Sequence, residues 1–215
     1  MEPRDRSGTV VGMERRQFEE TRVSTELDRA SSAHAVVLVE GISDKGALEA
    51  LAARRGRNLE TEGIAVVSMG GATNIGHFLR RYGPQGLDLR LAGLCDAAEE
   101  RDFKRGLERA GLGTDLTRAG MERLGFFVCD EDLEDELIRA LGAAAVEQVI
   151  EAQGEIESFR TFQKQPAWQG RPTEDQLRRF FGTFSGRKIR SAPLLVDALD
   201  LDRVPRPLEG VIAHI

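Results

Sequence analysis

The sequence predicts an α/β fold: a parallel sheet of about four strands flanked by helices, with a helical C-terminal portion. Three observations carry this expectation. Short runs of β-formers recur over 35–39, 64–67, 89–95 and 124–129, and each leads through a turn into a helical pattern. Three of the runs drive directly into acids: Glu40 after the first, Asp96 after the third, and Asp130, Glu131, Asp132 and Glu134 after the fourth. Beyond Gly142 only helical periodicity remains. Alternation of strand and helix implies parallel strands joined by right-handed crossovers. Such sheets gather their chemistry at the carboxyl edge, where the acids stand.

The elements follow in order. Residues 1–34 read as a polar, charged leader, partly disordered or helical, with helical character over 14–28. The first strand is Ala35 to Val39. A helix then opens near Ser43, the expected cap, carries Ala47, Leu48, Leu51 and Ala52 on one face, and stops near Gly56. After the second strand, Ser68-Met69-Gly70-Gly71 turns into a helix through Ile75, Phe78 and Leu79. Those glycines serve a tight turn, or leave amides free to face an anion. Gly83-Pro84 ends that helix. A charged helix over 99–109 follows the third strand, and a helix through Leu133, Leu137, Ile138 and Leu141 follows the fourth. The α/β core is assigned to 35–150 and a helical portion packed on it to 151–215. That portion reads as helices over 143–153 and 155–164, then one starting at Thr173 with Gln176 as reciprocal cap. Ser185 to Lys188 reads as a loop before a last helix over 192–199. Trp168 and Phe162 have core spacing, with base stacking as the rival reading.

Composition narrows the function. The chain has 215 residues, 40% of them hydrophobic, enough for one α/β domain with a real core. A net charge of −6 argues against a surface that grips nucleic acid everywhere, but not against a local basic groove beside an acidic pocket. The arginine-rich clusters at 54–57, 80–81, 178–179 and 187–190 are expected to be solvated helix faces. Cys95 and Cys129 have no metal-binding spacing and read as small apolar residues ending buried strands. No secretory signal and no run approaching about 20 apolar residues is seen, so a cytoplasmic, reducing location without membrane contact is expected.

Carboxylates collected at one sheet edge repel one another unless a proton or cation stands between them. Hard oxygen donors without histidine or thiolate company favour Mg²⁺ or Mn²⁺ over zinc. Acids from three strand ends would hold two such ions about 4 Å apart, an arrangement suited to phosphodiester chemistry.

The chain resembles the Toprim fold, a Rossmann-like metal-binding domain shared by topoisomerases, primases and several nucleases. The likeness rests on VVLVEGISD (Val36 to Asp44), SMGGATNI after the second strand, LCDAAEERDF after the third and DLEDELI (Asp132 to Ile138). Glu40 followed four residues later by Asp44 makes it similar to the Toprim domain of OLD-family endonucleases. The resemblance spans roughly 35–200 and implies a Mg²⁺- or Mn²⁺-dependent endonuclease that cleaves DNA by a two-metal mechanism. It implies Glu40 and Asp44 on one ion, Asp96, Asp132 and Glu134 on the other, and Lys188 stabilising the pentavalent phosphate. Glu40, Asp96 and Lys188 would be the catalytic set. Two departures stand out. The Asp-x-Asp usual after the third strand reads Asp96-Ala97-Ala98, with Glu99 and Glu100 just beyond. No GxxxxGK[ST] loop is present, so the chain is expected to act alone or with an ATPase on another polypeptide. Three readings follow: a DNA nuclease, an RNA-processing relative, or a non-catalytic module that binds nucleic acid or a separate ATPase. A homodimer is implied by analogy only.

Overall fold

A computed structural model describes residues 30–215; residues 1–29 of the leader, with the helical stretch over 14–28, fall outside the described residues, and its end forms a 3-10 turn at Ala30–Ser32. β1 (Ala35–Val39), β2 (Ile64–Ser68) and β4 (Phe126–Val128) form where β-branched or aromatic residues concentrate, and β3 (Arg90–Cys95) is a mostly apolar run held between β1 and β4. They make one parallel sheet in the order β2-β1-β3-β4. Every residue of β1 is buried, as its unbroken apolar run demands of a strand covered on both faces. The chain steps from β1 outward to β2 and then returns to the other side of β1 for β3. That reversal puts the switch-point crevice beyond the carboxyl ends of β1 and β3. Val39 lies opposite Leu94, so Glu40 and Asp96 leave the sheet from neighbouring strands.

Alternation along β1 builds two cores. Val36 and Leu38 face α2 (Ile75–Tyr82), α3 (Glu100–Arg109) and α4 (Arg118–Arg123). Ala35, Val37 and Val39 face α1 (Ile42–Arg54) together with the C-terminal helices. These are α5 (Leu133–Leu141), α6 (Ala143–Ala152), α7 (Ile156–Gln163), α8 (Thr173–Gly182), α9 (Ser185–Ala198) and α10 (Arg206–His214). Leu48 and Leu51 of α1 are fully buried, each contributing about 1.5–3 kcal/mol.

Several local expectations need correction. α1 begins at Ile42 with Gly41 as its cap position, and the reaching side chain is Asp44, not Ser43. Thr173 makes no capping bond. Gln176 is buried, and its amide instead donates to the Trp168 and Arg171 carbonyls, satisfying the loop before α8. Residues 185–188 are the first turn of α9, which continues through Pro193. The helix survives that proline because its Ala192, Leu195 and Val196 are buried against the core. Phe162 is buried and stacks on Trp168, with ring centroids 5.3 Å apart, so both belong to the core of the helical layer.

The 54–57 arginines are not a solvated face. Arg54 Nη1 donates to the carbonyls of Val196 and Leu199, both at 2.7 Å, closing the C-terminus of α9. Arg57 donates to the Ile212 carbonyl at 2.8 Å and Arg55 to that of Leu201 at 3.2 Å. The cluster fastens α1 to the last quarter of the chain.

Gly93 is where β3 tolerates no side chain. A Cβ there would lie 2.6 Å from the Phe126 ring and 2.9 Å from the Leu38 carbonyl oxygen. Gly93→Ala is therefore expected to destabilise the fold by about 1–3 kcal/mol through overpacking, read as a lower urea midpoint at unchanged slope. A wild-type midpoint would show that the sheet yields at this point.

Candidate metal centre

Three strand-to-helix junctions deliver acids to one edge. β1 ends in Glu40, and extended Gly41 turns the chain into α1. The Gly41 amide donates to Asp44 Oδ2 at 2.8 Å, which points the Asp44 carboxylate back over the strand end. β3 ends in Asp96. Two backbone bonds tie the segment after β3 to the one after β4: Cys129 N to the Cys95 carbonyl at 2.9 Å, and Ala97 N to the Glu131 carbonyl at 3.2 Å. Those bonds bring Asp96 beside the start of α5. Asp132 caps α5, its Oδ1 accepting from Asp135 N at 2.8 Å. Glu134 follows in the first turn and is only 3% exposed.

The helical layer adds two cations. Lys188, on α9, donates to Glu134 Oε2 at 2.7 Å. Arg178, on α8, donates to Asp132 Oδ2 at 3.0 Å. Sequence reading missed the place of Arg178, which it treated as surface charge. The partner lies 46 positions away, and no local pattern connects the two.

The electrostatics follow from this crowding. Burial pushes the Asp96 carboxyl up to about 8, helped by Asp44, Asp132, Glu40 and Glu134. Burial likewise raises Asp44 to about 7; Glu134 and Glu40 push the same way, and the Gly41 amide opposes. Glu40 is raised by burial first and then by the charge of Glu99, with Lys188 pulling the other way. Lys188 is held above its ordinary range: burial would lower it, but Glu134 outweighs that. All six residues singled out in the sequence thus share one electrostatic neighbourhood.

The donor set suits a hard divalent cation. Glu40 Oε2 and Glu134 Oε1 are buried without a hydrogen-bond partner, a costly condition for a carboxylate oxygen and one that a metal ion relieves. Among the described residues, no three Asp, Glu, His or Cys side chains form a closed cage. The reason is visible in the bonds above: Asp44 is turned onto Gly41, Asp132 onto Arg178 and Glu134 onto Lys188.

The Asp-x-Asp departure resolves between two glutamates. Glu100 is drawn away by Arg118 at 2.7 Å and by Lys104. Glu99 is the leading charge acting on Glu40. The Gly71 amide donates to the Glu40 carbonyl at 3.2 Å, so Gly70-Gly71 is a turn that ties β2 to the end of β1, and that amide is not free for an anion. Glu136 is buried; it accepts from Asp130 N at 2.8 Å and pairs with Arg139. Cys95 and Cys129 are buried free thiols whose burial pushes them far above the ordinary thiol range, which fits their reading as packing residues. Among the described residues no helix is long and apolar enough to cross a membrane.

A parallel sheet in this order, with Glu40, Asp44, Asp96 and Glu134 gathered at its carboxyl edge, defines a Toprim-type domain. Residues 33–97 match the family model described as overcoming lysogenization defect protein-like, TOPRIM domain. Similar solved structures include the C-terminal region of the OLD protein of Xanthomonas campestris pv. campestris, 27% identical with a TM-score of 0.66, covering 85% of this chain and 92% of that one. The C-terminal region of the Burkholderia pseudomallei OLD protein is 23% identical with a TM-score of 0.66, covers 85% of this chain and 96% of that one, and supports the fold alone. A comparison with curated proteins returns no match. Over residues 33–97 the chain is thus similar to the OLD-like Toprim domain, and its fold is similar to the C-terminal regions of OLD proteins.

Proposed function

We propose that this chain is a divalent-metal-dependent nuclease that cleaves DNA phosphodiester bonds using two Mg²⁺ or Mn²⁺ ions. The observation that carries the reading is the pair of buried, unpartnered carboxylate oxygens on Glu40 and Glu134 at the switch-point edge. Glu40 and Asp44 would hold one ion; Asp96, Asp132 and Glu134 would hold the other, with Glu99 at hand where Ala98 offers no carboxylate. Such ions, when bound, supply an activated water and charge stabilisation at the leaving oxygen. Lys188 is the cation placed to meet charge building on the phosphorus, since its side chain is 32% exposed while its amine reaches the site.

The test is nicking of supercoiled plasmid in MnCl₂ by the wild type, Glu40→Ala and Lys188→Met. Lys188→Met is expected to lose about 10²–10³ in rate while still gaining heat resistance from Mn²⁺. Nicking that persists in Glu40→Ala would discard the site. Ala98 favours one other reading, a non-catalytic module that binds nucleic acid or a separate ATPase subunit. Duplex binding by the wild type, with neither DNA nor RNA cleaved, would select it.

A further inference from the structure

We propose that Arg178 is a second phosphate ligand of this centre, held on Asp132 until a divalent cation takes that carboxylate. The proposal rests on the metal-dependent reading above and extends it to the coupling between ion and substrate. The acids of the centre fall into two groups. Glu40, Asp44 and Asp96 form no ion pair with any described residue. The two acids at the start of α5 each carry a cation sent by the helical layer: Lys188 on Glu134 at 2.7 Å and Arg178 on Asp132 at 3.0 Å.

Both oxygens of Asp132 are already engaged. Its Oδ1 caps α5 through Asp135 N, and its Oδ2 accepts from Arg178 Nε. A metal ion drawing on Oδ2 therefore competes directly with Arg178. The arginine can leave without becoming a buried, unpaired charge, because its side chain is 38% exposed and its second contact, Glu131 Oε2 at 3.4 Å, is itself 63% exposed. A freed guanidinium at the mouth of the site presents the planar fork that fits two oxygens of one phosphate. Phosphodiester and cation then assist each other: the cation releases the arginine, and the phosphate keeps the arginine off the metal ligand. By linkage each must tighten the other by the same factor.

The experiment is calorimetric titration of MnCl₂ into the full chain, with and without a cleavage-resistant phosphorothioate DNA duplex, for the wild type, Arg178→Gln and Arg178→Lys. In the wild type the duplex is expected to tighten Mn²⁺ binding about tenfold. Arg178→Gln should bind Mn²⁺ several-fold more tightly than the wild type when no duplex is present, because the competitor is gone. Its duplex-induced gain should fall below about twofold, and the salt slope of its duplex binding should drop by about one. Arg178→Lys keeps the charge without the fork, and its coupling should shrink to about threefold. A structural role for Arg178 would lower the melting temperature and leave Mn²⁺ affinity and coupling alike in all three proteins, and that result would overturn the inference. A wild type that binds duplex but no Mn²⁺ would instead remove the metal-dependent reading, and this coupling with it.

Discussion

Glu40→Gln is expected to make the metal-free protein harder to melt and, in the same stroke, to end its response to Mn²⁺. Glu40 stands at the end of a strand buried on both faces, with one oxygen unpartnered and Glu99 and Glu134 acting on it as like charges. Removing its charge relieves repulsion that has no functional purpose without a cation. A relief of about 1 kcal/mol would raise the melting temperature of a domain this size by about 2–4 °C. The wild type, by contrast, should gain about 2.7 kcal/mol from Mn²⁺ at a hundred times its dissociation constant, and the variant almost nothing. Cleavage should fall by at least about 10²–10³. Opposite signs for stability and activity mark a residue kept for function against the interest of the fold. Scanning calorimetry with and without MnCl₂, alongside plasmid nicking, measures both. A variant that melts lower yet keeps the Mn²⁺ shift would mean that Glu40 is a structural acid.

What could be read from the chain, and what could not, divides along contact range. β1 and its acid were legible because Ala35 to Val39 is an unbroken apolar run, and a strand buried on both faces must deliver its next residue to the edge. The same logic found Asp96 and the acidic run after the fourth strand that contains Asp132; that Asp132 caps α5 is seen only in the fold. Lys188 was expected on a loop, yet it lies in the first turn of α9, from where it reaches Glu134. Ser185-Gly186 looks like the start of a loop, and only packing of α9 on α1 overrides it. α4 and α10 were not anticipated at all. α4 is six residues long, too short for a periodic signal. The Arg54–Val196 and Arg178–Asp132 bonds join residues 142 and 46 positions apart, and only the folded chain reveals them.

Raising the pH is expected to weaken the metal-free fold and strengthen the grip on Mn²⁺. Asp44 and Asp96 have ordinary carboxyl values when unfolded, near 3.8, and rise to about 7 and about 8 in the fold. The folded protein therefore binds more protons than the unfolded chain between about pH 4 and pH 8, and stability must fall as pH climbs through that window. Their contribution is complete below pH 4 and gone above about pH 8, on the order of a few kcal/mol for the coupled pair. This slope is opposite to the one that salt-bridged carboxylates such as Glu62 on Arg57 produce, which lose their contribution only as the medium becomes acid. A divalent cation reverses the first trend, because it needs the deprotonated acids. Mn²⁺ affinity should rise up to about tenfold per pH unit for each proton displaced, from pH 6 toward pH 8, and then level off. Melting curves from pH 5 to pH 9, taken in chelator and again in excess MnCl₂, should converge at low pH and separate at high pH. Parallel curves would mean that protons and metal do not share these carboxylates, and that Asp44 and Asp96 are raised by burial for some purpose other than holding an ion.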